Sequence, residues 1–156
     1  MIEVCVSREG VDDDEPPSSA WVENVIAETL RVEGVQDSCE VSVLITGDQR
    51  MLELNRDYRG QEKTTDVLSF AFEEGSTVPL PPGLPRVLGD IVLSLETLQR
   101  QAQKNGVTQP RETAWALCHG VLHLLGYDHQ TDEEDAAMRA REQQVLNSLG
   151  QGALSW

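Results

Sequence analysis

From Ala114 to Leu125 the chain reads Ala-Trp-Ala-Leu-Cys-His-Gly-Val-Leu-His-Leu-Leu, with two histidines as its only strongly polar side chains. Thr108 offers an N-cap ahead of this run, Pro110 suits a first helical turn, and Gly126 supplies a stop, so the stretch is predicted to be one helix. A helix apolar almost all round is a buried helix. Its two imidazoles therefore leave water and need partners. His119 and His123 stand at i and i+4 on one face, where both can reach a single ion at ~2.0–2.1 Å. Gly126 then lets the chain turn back and bring in His129. A lone histidine on such a helix is usually a core residue bonded to backbone. Here every histidine of the chain falls between positions 119 and 129, and that grouping points to metal ligation.

The rest of the chain supplies what such a helix can pack against. Ile2–Val6 alternates as a strand. A helix capped at Ser18 or Ser19 carries Trp21, Val22, Val25, Ile26 and Leu30 on one face. Glu40–Thr46 is a second strand, with Val41, Val43 and Ile45 on one side. Asp48–Tyr58 reads as a short helix turning Met51, Leu52 and Tyr58 inward. Thr65–Phe72 is a third strand, with Leu68, Phe70 and Phe72 sharing a face. A connection holding Gly75, Pro79, Pro81, Pro82, Gly83 and Pro85 is expected to be a mobile surface loop. Val87–Leu95 is the fourth strand and Glu96–Asn105 a helix. Thr131-Asp132-Glu133-Glu134 forms a capping box that opens a last helix reaching about Leu149. The expected fold is one α+β domain over residues 1–156: a mixed four-stranded sheet with surrounding helices. The buried helix Pro110–Leu125 packs on the sheet and carries a zincin-like metal site.

Composition narrows the partners. Lys+Arg 12 against Asp+Glu 27 gives a net charge of −15, which argues against a broad nucleic-acid-binding surface. A polyanion would have to be met by a local basic patch, by a metal ion, or by both. No apolar run approaches the ~20 residues of a membrane helix. The start, Met1-Ile2-Glu3-Val4, lacks the flank and core of a signal peptide, so a cytoplasmic location is expected. Cys5, Cys39 and Cys118 show no Cys-x-x-Cys spacing, and are read as small buried apolar residues rather than a disulfide framework or zinc site.

The spacing His-x3-His-x5-His, with glycine seven residues after the first histidine, matches the metzincin pattern His-Glu-x-x-His-x-x-Gly-x-x-His at all but one position. Gly120 stands where those proteases carry their general base. The metal cradle is kept and the protease's proton acceptor is not. The whole segment His119-Gly120-Val121-Leu122-His123-Leu124-Leu125-Gly126-Tyr127-Asp128-His129 resembles the signature of the YbeY endoribonucleases. Tyr58-Arg59-Gly60, with Thr65-Asp66-Val67-Leu68-Ser69-Phe70, resembles that family's second block, and Leu88-Gly89-Asp90-Ile91 its third. The resemblance implies a zinc-dependent endoribonuclease acting on single-stranded RNA, in 16S rRNA 3′-end maturation and ribosome quality control. It implies one Zn²⁺ per chain on His119, His123 and His129, and a catalytic role for Arg59. The implied partners are rRNA and ribosomal particles, with neither DNA nor membrane.

Read from the residues alone, Arg50–Lys63 holds a small cationic excess in a very acidic chain. A guanidinium such as Arg59 can grip phosphate oxygens bidentately and stabilise charge building on phosphorus. Three neutral nitrogens suit zinc, with copper, nickel or iron as other occupants. Asp128 either orients a ligand imidazole or caps its turn, and Asp66 either faces the cleft or ends a strand outside it. Two other functions fit parts of the pattern: a metalloprotease-like hydrolase with a distant base, and a non-catalytic ribosome-assembly factor with a structural zinc. With so few clustered cations, RNA binding should depend only shallowly on salt. The slope of log affinity against log salt is expected near −0.7 per phosphate neutralised. A titration giving a slope equivalent to about eight neutralised phosphates would show that the charge distribution has been misread.

Overall fold

The computed structural model describes residues 2–72 and 84–156. The expected Pro/Gly-rich loop lies almost wholly outside the described residues. The elements run β1 (Ile2–Arg8), α1 (Ser19–Val32), β2 (Cys39–Thr46), α2 (Asp48–Arg59), β3 (Val67–Ala71), β4 (Arg86–Ser94), α3 (Leu95–Asn105), α4 (Gln109–Leu124) and α5 (Asp132–Ala153). The sheet order is β1-β2-β4-β3, with β1, β2 and β4 parallel and β3 antiparallel at an edge. The mixed four-stranded sheet with surrounding helices is therefore as expected. Among the described residues no helix is long and apolar enough to cross a membrane.

Strand parity assigns the layers. Val41, Val43 and Ile45 of β2 and Ile91 and Leu93 of β4 join the main core with Val22, Val25, Ile26 and Leu30 of α1 and Ala114, Leu117 and Val121 of α4. The opposite parity, Leu44 and Val92, packs with Leu68 and Phe70 of β3 beneath Met51 and Leu54 of α2. The sheet thus carries α1 and α4 on one face and α2 on the other. On its outer side α4 meets α5 through Cys118, Leu122, Met138 and Val145. That double cover is what its apolar sequence required.

Two glycines fix how tightly these layers sit. A Cβ at Gly120 would lie 3.2–3.3 Å from three carbons of the fully buried Ile91, so α4 rests almost directly on β4. At Gly89, with φ +144°, a Cβ would stand 2.1 Å from the Phe70 carbonyl oxygen and 2.9 Å from Leu124 Cδ2. The register between β2 and β4 slips here, Glu40 facing Val87 and Val41 facing Gly89, which leaves Leu88 as the extra residue of a bulge. The glycine of the Leu88–Ile91 block is there for the backbone.

Three sequence expectations need correction. Tyr58 is 69% exposed rather than inward. Tyr58 keeps the phase of Met51, Leu54 and Asn55, the buried face of α2, but it stands in the last turn of the helix, where the Phe70 ring meets it edge-on. The third strand is Val67–Ala71 rather than Thr65–Phe72, and Phe72, beyond its end, is 65% exposed. Cys5 is exposed, since it takes the outer parity of β1, while Cys39 and Cys118 are buried as free thiols.

Asp48 ties the two helix starts on this side together. Its Oδ1 accepts from Thr97 Oγ1 at 2.6 Å, Ser94 Oγ at 2.8 Å and Thr64 Oγ1 at 3.1 Å, and its Oδ2 meets Arg100 at 2.8 Å. Burial pushes this carboxyl's pKa up, but the bonds from Arg100, Thr97, Ser94 and Thr64 outweigh it and hold the pKa well below the ordinary value of 3.8. A folded-state pKa below the unfolded one gives stabilisation that is complete above the unfolded value and is lost as pH falls through the folded one. Asp48→Asn should cost about 2–3 kcal/mol near neutral pH. In urea unfolding, the gap between wild type and variant should narrow as the pH is taken below about 4.

Candidate metal centre

The ends of α4 and α2 and the edge strand β3 enclose a cleft of about 900 Å³. Helix α4 delivers His119 and His123 to its floor one turn apart. The helix then closes with a hydrogen-bond pair that reverses the chain: Gly126 N donates to His123 O and Tyr127 N to Leu122 O, both at 3.0 Å. With φ +104° at Gly126, this is a Schellman termination, and Tyr127 makes the accompanying apolar contact in the cluster holding Leu122. The reversal carries His129 back over the helix. The three rings stand 4.7, 5.1 and 5.7 Å apart between centroids.

One ligand atom from each imidazole lies within 4.8 Å of the others. Tetrahedral zinc with bonds of ~2.0–2.1 Å needs nitrogens ~3.4 Å apart, so small rotations of the rings close the set. The donor chemistry fits a borderline metal ion. Among the described residues the group comprises these three residues, two half-buried and one exposed. That arrangement leaves the cleft side of the site open. The pKa of His123 is lowered, first by burial and then by His119 and His129 beside it, with Asp128 opposing and Arg59 adding to the effect, which favours the neutral form that ligates.

The structure supplies a partner that the sequence reading missed. Nδ1 of His119 lies 3.1 Å from Oε2 of Glu142, a carboxylate on α5 that is only 5% exposed. A hydrogen on Nδ1 directed at that carboxylate fixes the tautomer with Nε2 free for an ion. The only cue in the sequence is an acidic residue at a buried position of the last helix, with Met138, Val145 and Leu146 as its buried neighbours.

Asp128 takes the simpler of its two expected roles: its Oδ1 accepts from the backbone N–H of His129 at 2.8 Å and shapes the turn. Asp66 faces the cleft, just before β3, where its Oδ1 accepts from Thr65 Oγ1 and Val67 N. Arg59 lines the same cleft. Its guanidinium donates to the Ser69 carbonyl at 2.5 Å and lies 5.3 Å from the centre of the Phe70 ring, which holds it against the β3 wall. Gly120, by contrast, faces Ile91 and the core. A glutamate there would bury its carboxylate in the sheet.

The profile of the family Endoribonuclease YbeY matches residues 5–150. This chain belongs to that family. An Endoribonuclease YbeY of Roseiflexus castenholzii is 47% identical over 83% of this chain and 82% of its own. The Bacillus cereus protein of the same name is 37% identical, covering 91% and 95%. The fold resembles the solution structure of TM1509 from Thermotoga maritima, with a TM-score of 0.60 at 24% identity over 94% of this chain and 87% of that one. In this YbeY-family chain the three histidines form a group able to hold a metal ion.

Removing Glu142 should weaken metal binding without emptying the site. Glu142→Ala is expected to lower affinity about 10–100-fold, read by competition against a chromophoric chelator. Elemental analysis of His123→Ala should show metal strongly reduced in a folded protein.

Proposed function

We propose that residues 1–156 form one catalytic unit that cleaves single-stranded RNA, in the maturation of the 16S rRNA 3′ end and in ribosome quality control. Membership of the Endoribonuclease YbeY family supports the reaction class: hydrolysis of a phosphodiester bond within an RNA chain. The observation that carries the site assignment is the placing of Arg59 and the three histidines in one cleft, on different elements. The substrate would be met as rRNA within ribosomal particles in the cytoplasm.

Zinc is the proposed metal, and in a three-histidine site with an open position it supplies Lewis acidity and acidifies water at neutral pH. The chain's own residues do the rest. Glu142 sets the tautomer of His119. Asp128 holds the turn that delivers His129. Arg59 has one N–H committed to Ser69 and keeps the remainder of its fork for phosphate oxygens, where charge accumulates in the transition state. Trp115 stacks on His119 with ring centres 5.0 Å apart, at the edge that the cleft shares with a second depression.

The protease-like alternative loses its base, because position 120 looks into the core. A structural-zinc factor would need four protein ligands, and the carboxylate nearest in sequence, Asp128, is engaged with backbone. The direct test is cleavage of single- and double-stranded RNA, with and without chelator, beside a casein control. Single strands should be cut, chelator should stop the cutting, and added zinc should restore it. Arg59→Ala should lose ~10²–10³ in rate while keeping its metal and its melting temperature. Near-normal cleavage by that variant would remove Arg59 from the mechanism.

A further inference from the structure

Because the chain carries −15 net charge, the whereabouts of its unpaired cations is informative. Arg31, Arg50, Arg56, Arg100, Arg139 and Arg141 are each held by a carboxylate. Arg8 is spent on the backbone carbonyls of Asp12, Glu15 and Pro17, and Arg86 is also engaged. Among the described residues, Arg59, Lys63, Lys104 and Arg111 have no ion-pair partner. Arg59 and Lys63 line the metal cleft. Lys104 and Arg111 line a second depression of about 590 Å³ between α3, α4 and α5.

The two depressions adjoin. Asp66 and Trp115 belong to the walls of both. The acids of the second groove sit low and are bonded. Glu112 is 8% exposed and takes Asn105 Nδ2 at 3.4–3.5 Å. With its amide turned to satisfy both neighbours, Gln101 donates to Glu112 Oε1 at 3.2 Å and Asp66 Oδ2 at 3.0 Å. Glu142 is committed to His119. The lower acids are tied down, while Lys104 is exposed and Arg111 half-exposed at the rim.

We propose that the groove bordered by Lys104 and Arg111 is a continuation of the RNA path. A single strand whose scissile bond lies at the histidines would pass over Trp115, with flanking phosphates meeting Lys104 and Arg111. This rests on the endoribonuclease reading and adds a direction to it. The half-exposed indole at the saddle offers a stacking surface for a base, and the two cations offer sequence-independent grips on phosphate. Such a path makes affinity depend on the length of RNA flanking the cut.

The test uses the zinc-loaded full chain and fluorescein-labelled single-stranded RNAs of about 4 and about 12 nucleotides. Binding is followed by anisotropy across a salt series and cleavage is followed in parallel. Lys104→Gln/Arg111→Gln should weaken binding of the longer RNA on the order of tenfold and reduce the salt slope by about 1.4, that is ~0.7 for each of the two phosphates no longer neutralised. The weakening should be larger for the longer RNA than for the shorter. Arg31→Gln/Arg50→Gln removes the same charge from ion-paired positions outside both depressions and should leave affinity and slope near wild type. Equal weakening in the two double variants would reduce the effect to net charge and overturn the path. So would an unchanged slope in Lys104→Gln/Arg111→Gln when its zinc content and melting temperature are normal. Wild-type protein that cleaves RNA while failing these comparisons sinks the path alone. Wild-type protein that neither binds nor cleaves single strands sinks the endoribonuclease reading with it.

Discussion

The close seat of α4 on β4, made by Gly120 against Ile91, sets the depth at which the metal site lies. Once that face of the helix is pressed onto the sheet, the side chains at positions 115, 119 and 123 share a strip that the sheet does not cover. The far side is closed by α5 through Cys118 and Leu122. Cys118 lies so deep in that interface that burial pushes its thiol pKa up to about 12, which leaves it an inert packing group. Two covered faces and one open strip give a rigid base for the ligands. Rigidity at this point matters, because ligand geometry loosens with any looseness in the element that carries it.

Much of this was legible in the chain because the relevant signals are local. The i, i+4 histidines, the Thr108 cap and the glycine after Leu125 each act within one or two turns, and they located α4 and the histidine group it carries. Strand alternation likewise identified the core side of β2. What stayed hidden depends on contacts between distant segments. Glu142 reads as one more acid in a charged helix, and only the docking of α5 on α4 turns it toward His119. Tyr58 and Phe72 misled for a related reason. Apolar character and phase mark a residue that could be buried, whereas the points at which α2 and β3 end decide whether it is.

Charge follows the same division. A surplus of acids is visible from composition, and it correctly argues against a broad cationic surface. Composition cannot say which cations are neutralised. Among the described residues six arginines disappear into ion pairs, while Arg59, Lys63, Lys104 and Arg111 border the two joined depressions. An acidic exterior around a short cationic track repels polyanions from every approach but one. Under the proposed RNA path, net repulsion and local attraction together would make for selective binding at low affinity.

The carboxylate that orients His119 comes 23 residues later in the chain, from a helix that must dock before the pair can form. A polypeptide emerging during translation therefore holds all three histidines before it holds the group that fixes the tautomer of the first. Until α5 folds back, the outer side of α4, with Cys118 and Leu122, also stands open to water. Completion of the site is in this way tied to the docking of α5, and a copy lacking that helix would keep the signature in sequence but not the oriented histidine in space.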